Sequence, residues 1–189
     1  VGSSCSSRLV DDPEVLREIL TSSPVLVAAH WEDMRMVAEN EESYRSIYGD
    51  AVPFELHGVI RSDEAWYIAA ERLVEVATAC NTRVHILHIS SAKELELFSA
   101  GTIAEKLITA EVCPHYLHFS DGDYAAKQGL LKCNPAIKTT EDRAALIQAL
   151  LDGHLDIIGS AHAPHLLAEK QGLGYFKTPA GMPMAQDAL

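Results

Sequence analysis

The sequence predicts an α/β fold built on parallel strands. Three observations carry this: short apolar runs alternate with helix-length segments, turn residues separate each run from the next helix, and several runs close on a histidine. Repeated strand–turn–helix units imply a parallel sheet with right-handed crossovers. Four or five strands fit either a small open sheet or half of a (β/α)8 barrel, and 189 residues fall short of the ~250 a whole barrel needs.

The elements follow in order. Val1 to Ser7 is small and polar and reads as a loop. Asp12-Pro13-Glu14 opens a short helix with a cap, a first-turn proline and an acid, and Val15, Leu16, Ile19 and Leu20 form its apolar face. Val25 to Ala29 reads as a strand ending in His30-Trp31-Glu32-Asp33. Met34 to Tyr48 is a polar helix stopped by Gly49, and Ala51 to Arg61 is irregular, broken by Pro53 and Gly58. Ser62 caps the longest helix, Asp63 to Cys80, with Ala65, Ile68, Ala69, Leu73 and Val76 inward.

Val84 to Ile89 reads as a buried strand and Ala92 to Ser99 as a helix. Leu107 to Val112 is a third strand, closing on Cys113-Pro114-His115. Leu130 to Lys138 is extended around Pro135. Thr140 caps a helix to Leu151 whose Ala144, Leu146, Ile147 and Leu150 face inward. Leu155 to Ser160 is the last strand, buried and leading into Ala161-His162-Ala163-Pro164-His165. A Gly/Pro-rich tail, Gly172 to Pro183, follows.

Composition bounds the function. With 48% hydrophobic and 22% charged residues, there is ample material for a core. A net charge of −12 argues against a nucleic-acid surface. No apolar run approaches the ~20 residues of a membrane span, and the amino-terminal stretch lacks the features of a signal peptide. Cys5, Cys80, Cys113 and Cys133 show no CxxC spacing and read as thiols of a cytoplasmic protein. The first residue is not Met, which hints at a chain cut from something longer.

Of nine histidines, His30, His88, His115, His162 and His165 sit at or just beyond a strand's carboxyl end. Parallel strands bring such ends to one rim, and convergent imidazoles are what a hydrolytic zinc site uses. A single strand-end histidine is more often a hydrogen-bonded polar residue than a ligand, the two readings balance at His30 and His88, and His57, His85, His118 and His154 are assigned no role. Near Pro135, Lys132 and Asn134 read either as turn chemistry or as groups that contact a substrate.

The motifs VAAHWED, VHILHISSAKE, EVCPHYLHF, LKCNPAIKT and IIGSAHAPH, with HGVIRSDEA in order among them, resemble segments of the dihydroorotases. The likeness is to the carboxyl-terminal half of these cyclic amidohydrolases, and it implies one partial (β/α)8 barrel domain over residues 1–189. It implies zinc-dependent closure of N-carbamoyl-aspartate to dihydroorotate in pyrimidine biosynthesis, with a binuclear metal pair. His30 and His88 match ligands of the second metal, and Asn134 and His165 match substrate contacts. The Pro179-Ala180-Gly181 loop would close over the ring.

Three departures accompany the likeness. The family's H-x-H pair and its bridging ligand have no counterpart, and the aspartate of its T-D-H-A-P-H segment is Ala161. That aspartate is metal ligand and general base in the family, and a positioned base is worth roughly 10²–10⁴ in rate. The resemblance therefore implies weak or no zinc binding and a chain inactive by itself. A half barrel also leaves open strand edges, which points to a homo-oligomer or a partner chain covering them. Two other readings stand beside this one. They are an allantoinase or dihydropyrimidinase relative, and a non-catalytic homologue serving as an assembly partner.

Overall fold

A computed structural model describes Val10 and residues 12–188. The expected loop over Val1 to Ser7, with Cys5, lies outside the described residues. The helices are α1 (Pro13–Ser22), α2 (Met34–Tyr48), α3 (His57–Ile60), α4 (Asp63–Cys80), α5 (Pro114–His118), α6 (Tyr124–Lys127), α7 (Thr140–Leu151) and α8 (Leu167–Lys170). The strands are β1 (Val27–Ala29), β2 (Val84–Ile86), β3 (Ile108–Val112) and β4 (Ile157–Ile158). They form one sheet in the order β1-β2-β3-β4, with every neighbouring pair parallel. The fold is α/β with parallel strands, as the alternation of runs and helices predicts.

Helix boundaries follow cap chemistry. The Asp12 carboxylate accepts from the Glu14 and Val15 amides, and Asp33 and Ser62 cap α2 and α4 in the same way. Thr139, one residue earlier than expected, caps α7 in a reciprocal box with Asp142. On α7 the inward residues are Leu146 and Ala149, whereas Ala144 and Ile147 are exposed. Val15 is likewise exposed, leaving Leu16 and Leu20 to bury the face of α1. Each such leucine contributes about 1.5–3 kcal/mol on full burial.

One face of the sheet packs on the helices. Val27, Ala29, Val84, Ile86, Ala110 and Val112 join Leu16, Leu20, Leu73 and Leu146 in a single core. Because side chains alternate along a strand, His85, Thr109 and Glu111 fall on the other face. There His85 Nδ1 lies 2.9 Å from Thr109 Oγ1, and its Nε2 lies 3.2 Å from Glu111.

Several expected elements are shorter or different: β1 begins at Val27 and not Val25, and Leu130 and Leu131 belong to a 3₁₀ turn, Gln128–Leu131, where extended chain was expected. The second strand stops at Ile86, and its continuation is diverted at His88, which takes φ +42°. Lys93–Leu97 is a 3₁₀ segment, not an α-helix. The last strand shrinks to two exposed residues, against the expectation of a buried one. Just before it, the Asp156 carboxylate accepts from the Ala110 amide and from Lys106. Conversely, the stretch expected to be irregular contains a 3₁₀ turn, Phe54–Leu56, followed by α3.

Candidate active site

Parallel pairing puts the carboxyl ends of β1, β2, β3 and β4 on one rim, and there the chain opens a cleft of about 180 Å³. It is lined by His30, His115, Cys133, Asn134, Ala161, Ala163 and the loop residues Ala180, Gly181 and Met182. Three of the four strands deliver a lining residue just beyond their ends. β1 gives His30, β3 gives His115 through the first turn of α5, and β4 gives Ala161.

His30 and His88, 58 positions apart, meet at this rim with Nδ1 of one 2.7 Å from Nε2 of the other. Burial, helped by the nearby Arg61 guanidinium, lowers the His30 pKa to about 4. His88 is held well below the usual histidine value, chiefly by burial. His115 is lowered to about 4 by burial alone. All three are therefore neutral near pH 7, the form in which imidazole ligates metals. His88 is held at its turn by Glu94, whose Oε1 accepts from the amides and hydroxyls of Ser90 and Ser91.

The predicted site residues separate into three groups. His30, Asn134, Ala161 and Gly181 line the cleft, and His88 stands directly against His30. His165 is not among the lining residues, and its Nε2 lies 3.1 Å from the carbonyl of Ala180, which is. Pro179 is also set back, with its carbonyl accepting from Lys170. His162 turns away as well, accepting from the Ala185 amide through Nδ1. Gly181 adopts φ +140°, and a Cβ there would lie 2.5 Å from the Ala163 carbonyl, so only glycine lets the two cleft walls approach this closely.

Behind the cleft lie residues to which the sequence drew no attention. His57 is fully buried, with Nδ1 2.7 Å from the Tyr175 hydroxyl and Nε2 2.8 Å from the Cys133 carbonyl. A neutral imidazole satisfies both contacts by donating to the carbonyl and accepting from the phenol. Burial pushes its pKa well down, which keeps it neutral. Arg61 pairs with the buried Glu32, and Lys138 donates to the Arg61 carbonyl. The signal for these was present only as charged residues beside motif histidines, and a charge in sequence does not announce burial.

A catalytic zinc takes about three protein ligands plus water, at roughly 2.0–2.1 Å from each nitrogen. The facing nitrogens of His30 and His88 stand 2.7 Å apart, a hydrogen-bond distance shorter than the roughly 3.3 Å between two corners of such a site, so the rings would have to part to share an ion. No group of three or more His, Cys, Asp or Glu side chains that could hold a metal occurs among the described residues. At Ala161 the side chain is a methyl, with nothing to donate. The described residues thus do not make a complete metal centre.

No family model matches the chain. Among curated proteins it is 39% identical over 117 residues to a dihydroorotase of Lactiplantibacillus plantarum, covering 62% of this chain and 27% of the relative. It is 37% identical over 150 residues to that of a Geobacillus species, covering 77% and 33%. With the dihydroorotase of Anoxybacillus flavithermus it shares 32% over 167 residues, covering 85% and 37%. The chain spans about a third of the length of these relatives. Among solved structures, a D-hydantoinase superposes with a TM-score of 0.85 at 21% identity, covering all of this chain and 42% of that one. A dihydropyrimidinase from Brevibacillus agri gives 0.85 at 23%, and an L-hydantoinase from Arthrobacter aurescens 0.88 at 18%, with the same coverage. These likenesses show the fold, which is part of the barrel those enzymes share.

Proposed function

Taking as premise that the chain is homologous to dihydroorotases over about a third of their length, we propose that its cleft is part of a dihydroorotase-type site. Such a site interconverts N-carbamoyl-aspartate and the cyclic amide dihydroorotate. The observation that carries the proposal is the 2.7 Å approach of His30 to His88 beside a cleft lined by Asn134, Ala161 and Gly181.

The chemistry divides among these groups. Asn134 offers an amide that can both donate to and accept from a ureido group. The loop around Gly181 walls off one side and limits water. His30 and His88 are neutral nitrogen donors at the rim, and a zinc centre there needs further donors carried by other strands. The aspartate missing at Ala161 leaves the chain with no positioned base at that point, so we infer that the chain alone binds the ring without turning it over. Parallel strands from a second copy or a partner chain would cover the open edges of β1 and β4.

Calorimetric titration with dihydroorotate tests this, with zinc titrated separately. Millimolar or tighter binding of dihydroorotate, lost in Asn134→Ala, is expected. Failure of the wild-type chain to bind it removes the assignment. Ala161 favours a second reading, in which the chain is a non-catalytic homologue that assembles with an active enzyme. Stoichiometric zinc together with ring closure by the isolated chain would remove that one.

A further inference from the structure

The wall of the cleft that carries Ala180, Gly181 and Met182 belongs to a loop with almost no regular structure, and its shape therefore needs another source. Two ammonium groups supply it. Lys132 Nζ donates to the Tyr175 carbonyl at 2.6 Å and the Thr178 carbonyl at 2.9 Å, and sits 4.3 Å above the Tyr175 ring. Lys170 Nζ donates to the Pro179 and Lys132 carbonyls, both at 2.8 Å. The Lys132 carbonyl also accepts from the Gly181 amide at 2.9 Å. Three segments, 129–134, 167–170 and 175–181, are thereby cross-linked through two cations and one shared carbonyl.

Lys170 is only 6% exposed, and no ion pair among the described residues includes it. A buried charge without a counter-ion is costly, and carbonyl dipoles are what solvate it here. Burial lowers its pKa to about 8, in keeping with that cost. The backbone is shaped to allow the approach: a Cβ on Gly129 would lie 2.4 Å from the Lys170 carbonyl. An apolar side chain would fill the same space at less expense, but it would not turn the Pro179 carbonyl inward. That orientation sets where the next two residues, Ala180 and Gly181, meet the cleft.

We propose that Lys132 and Lys170 are positioning residues, a two-cation brace that fixes the 175–181 wall and so sets the affinity of the cleft for its ring ligand. The affinity part rests on the cleft being a dihydroorotate site; the brace itself does not.

The test uses the full chain and Lys170→Met, Lys170→Arg and Lys132→Met variants. Amide hydrogen exchange is measured at residues 172–183 and in β1, β2 and β3, and dihydroorotate affinity by calorimetry. In Lys170→Met, exchange of the Gly181 amide should rise at least tenfold with the strands unchanged, and dihydroorotate should bind about tenfold more weakly. Lys170→Arg should restore most of both effects. Unchanged loop exchange, or a rise spread equally through the sheet, overturns the brace. If wild type binds no dihydroorotate, the site assignment fails while the exchange data still decide the brace. Should the Met variants not fold, nitrogen NMR of the wild-type lysines decides. Slowly exchanging Nζ protons at 132 and 170 support the brace, and fast exchange at both overturns it.

Discussion

Glu111 of β3 and Gly159, just past the end of β4, interlock: a Cβ on residue 159 would lie 2.4 Å from the Glu111 carboxyl carbon. The carboxylate occupies the space a side chain would need, and from there it meets His85 at 3.2 Å. Gly159→Ala should therefore push Glu111 off His85 and cost about 1–3 kcal/mol, the usual range for overpacking. Thermal or urea unfolding measures it. An unchanged midpoint would mean that the carboxylate moves aside freely.

Ala161 sits at φ +42°, a left-handed conformation that aspartate tolerates better than alanine. Ala161→Asp should leave the unfolding midpoint unchanged or slightly higher, despite adding a charge. It also places a carboxylate in the cleft that His30 lines, so zinc affinity should rise at least tenfold by calorimetry. A variant that folds but binds zinc no better would show that the carboxylate points away from the histidine pair.

Arg61 is the ion-pair partner of a fully buried carboxylate, Glu32. Removing one member of such a pair leaves the other charged and buried, at a cost of about 3–5 kcal/mol. Arg61→Met should lower stability on that scale, with Arg61→Lys intermediate. Chemical denaturation of the three proteins checks the order, and a neutral Arg61→Met would contradict it.

Acid should destabilise the fold. Burial lowers the pKa of His30, His57, His88 and His115, to about 4 in His30 and His115, against 6.5 for the free side chain. Between pH 6.5 and 4 the unfolded chain binds more protons, so stability falls as pH falls. The drop from 6.5 to about 4 at one such group corresponds to about 3 kcal/mol. Glu94, raised by burial to about 7, and Glu32, also raised by burial, act with the opposite sign over part of this window. Four histidines outweigh two carboxylates, so the urea midpoint should drop from pH 7 to pH 5. A flat or rising midpoint would rule out neutral buried histidines.

Much of this was legible in the sequence because it is local. α2 and α4 begin and end where their caps and stop residues lie, since Asp33, Ser62 and Gly49 act within one turn. The meeting of His30 with His88 was legible for a different reason: parallel strands turn sequence position into a place on a rim. What stayed hidden depends on long-range neighbours. β2 ends at Ile86 and His88 takes a positive φ two residues on, which no local pattern of VHILHI encodes. His57 became structural through Tyr175, 118 positions away, and the Cys133 carbonyl, and Lys170 through the carbonyls of Lys132 and Pro179. His165 lies beside the cleft wall, against the Ala180 carbonyl and 3.0 Å from where a Cβ on Gly181 would stand, a placement that no local pattern of HAPH gives.

Among the described residues β4 has a neighbour on one side only, and its Ile157 and Ile158 are nearly half exposed. Whatever extends the sheet from that flank has its direction restricted by the ladder already present. A newcomer lying alongside in the same sense would finish next to Ser160 and Ala161, and its own last residues would enter the histidine-lined mouth. A newcomer running the opposite way would bring only its beginning there.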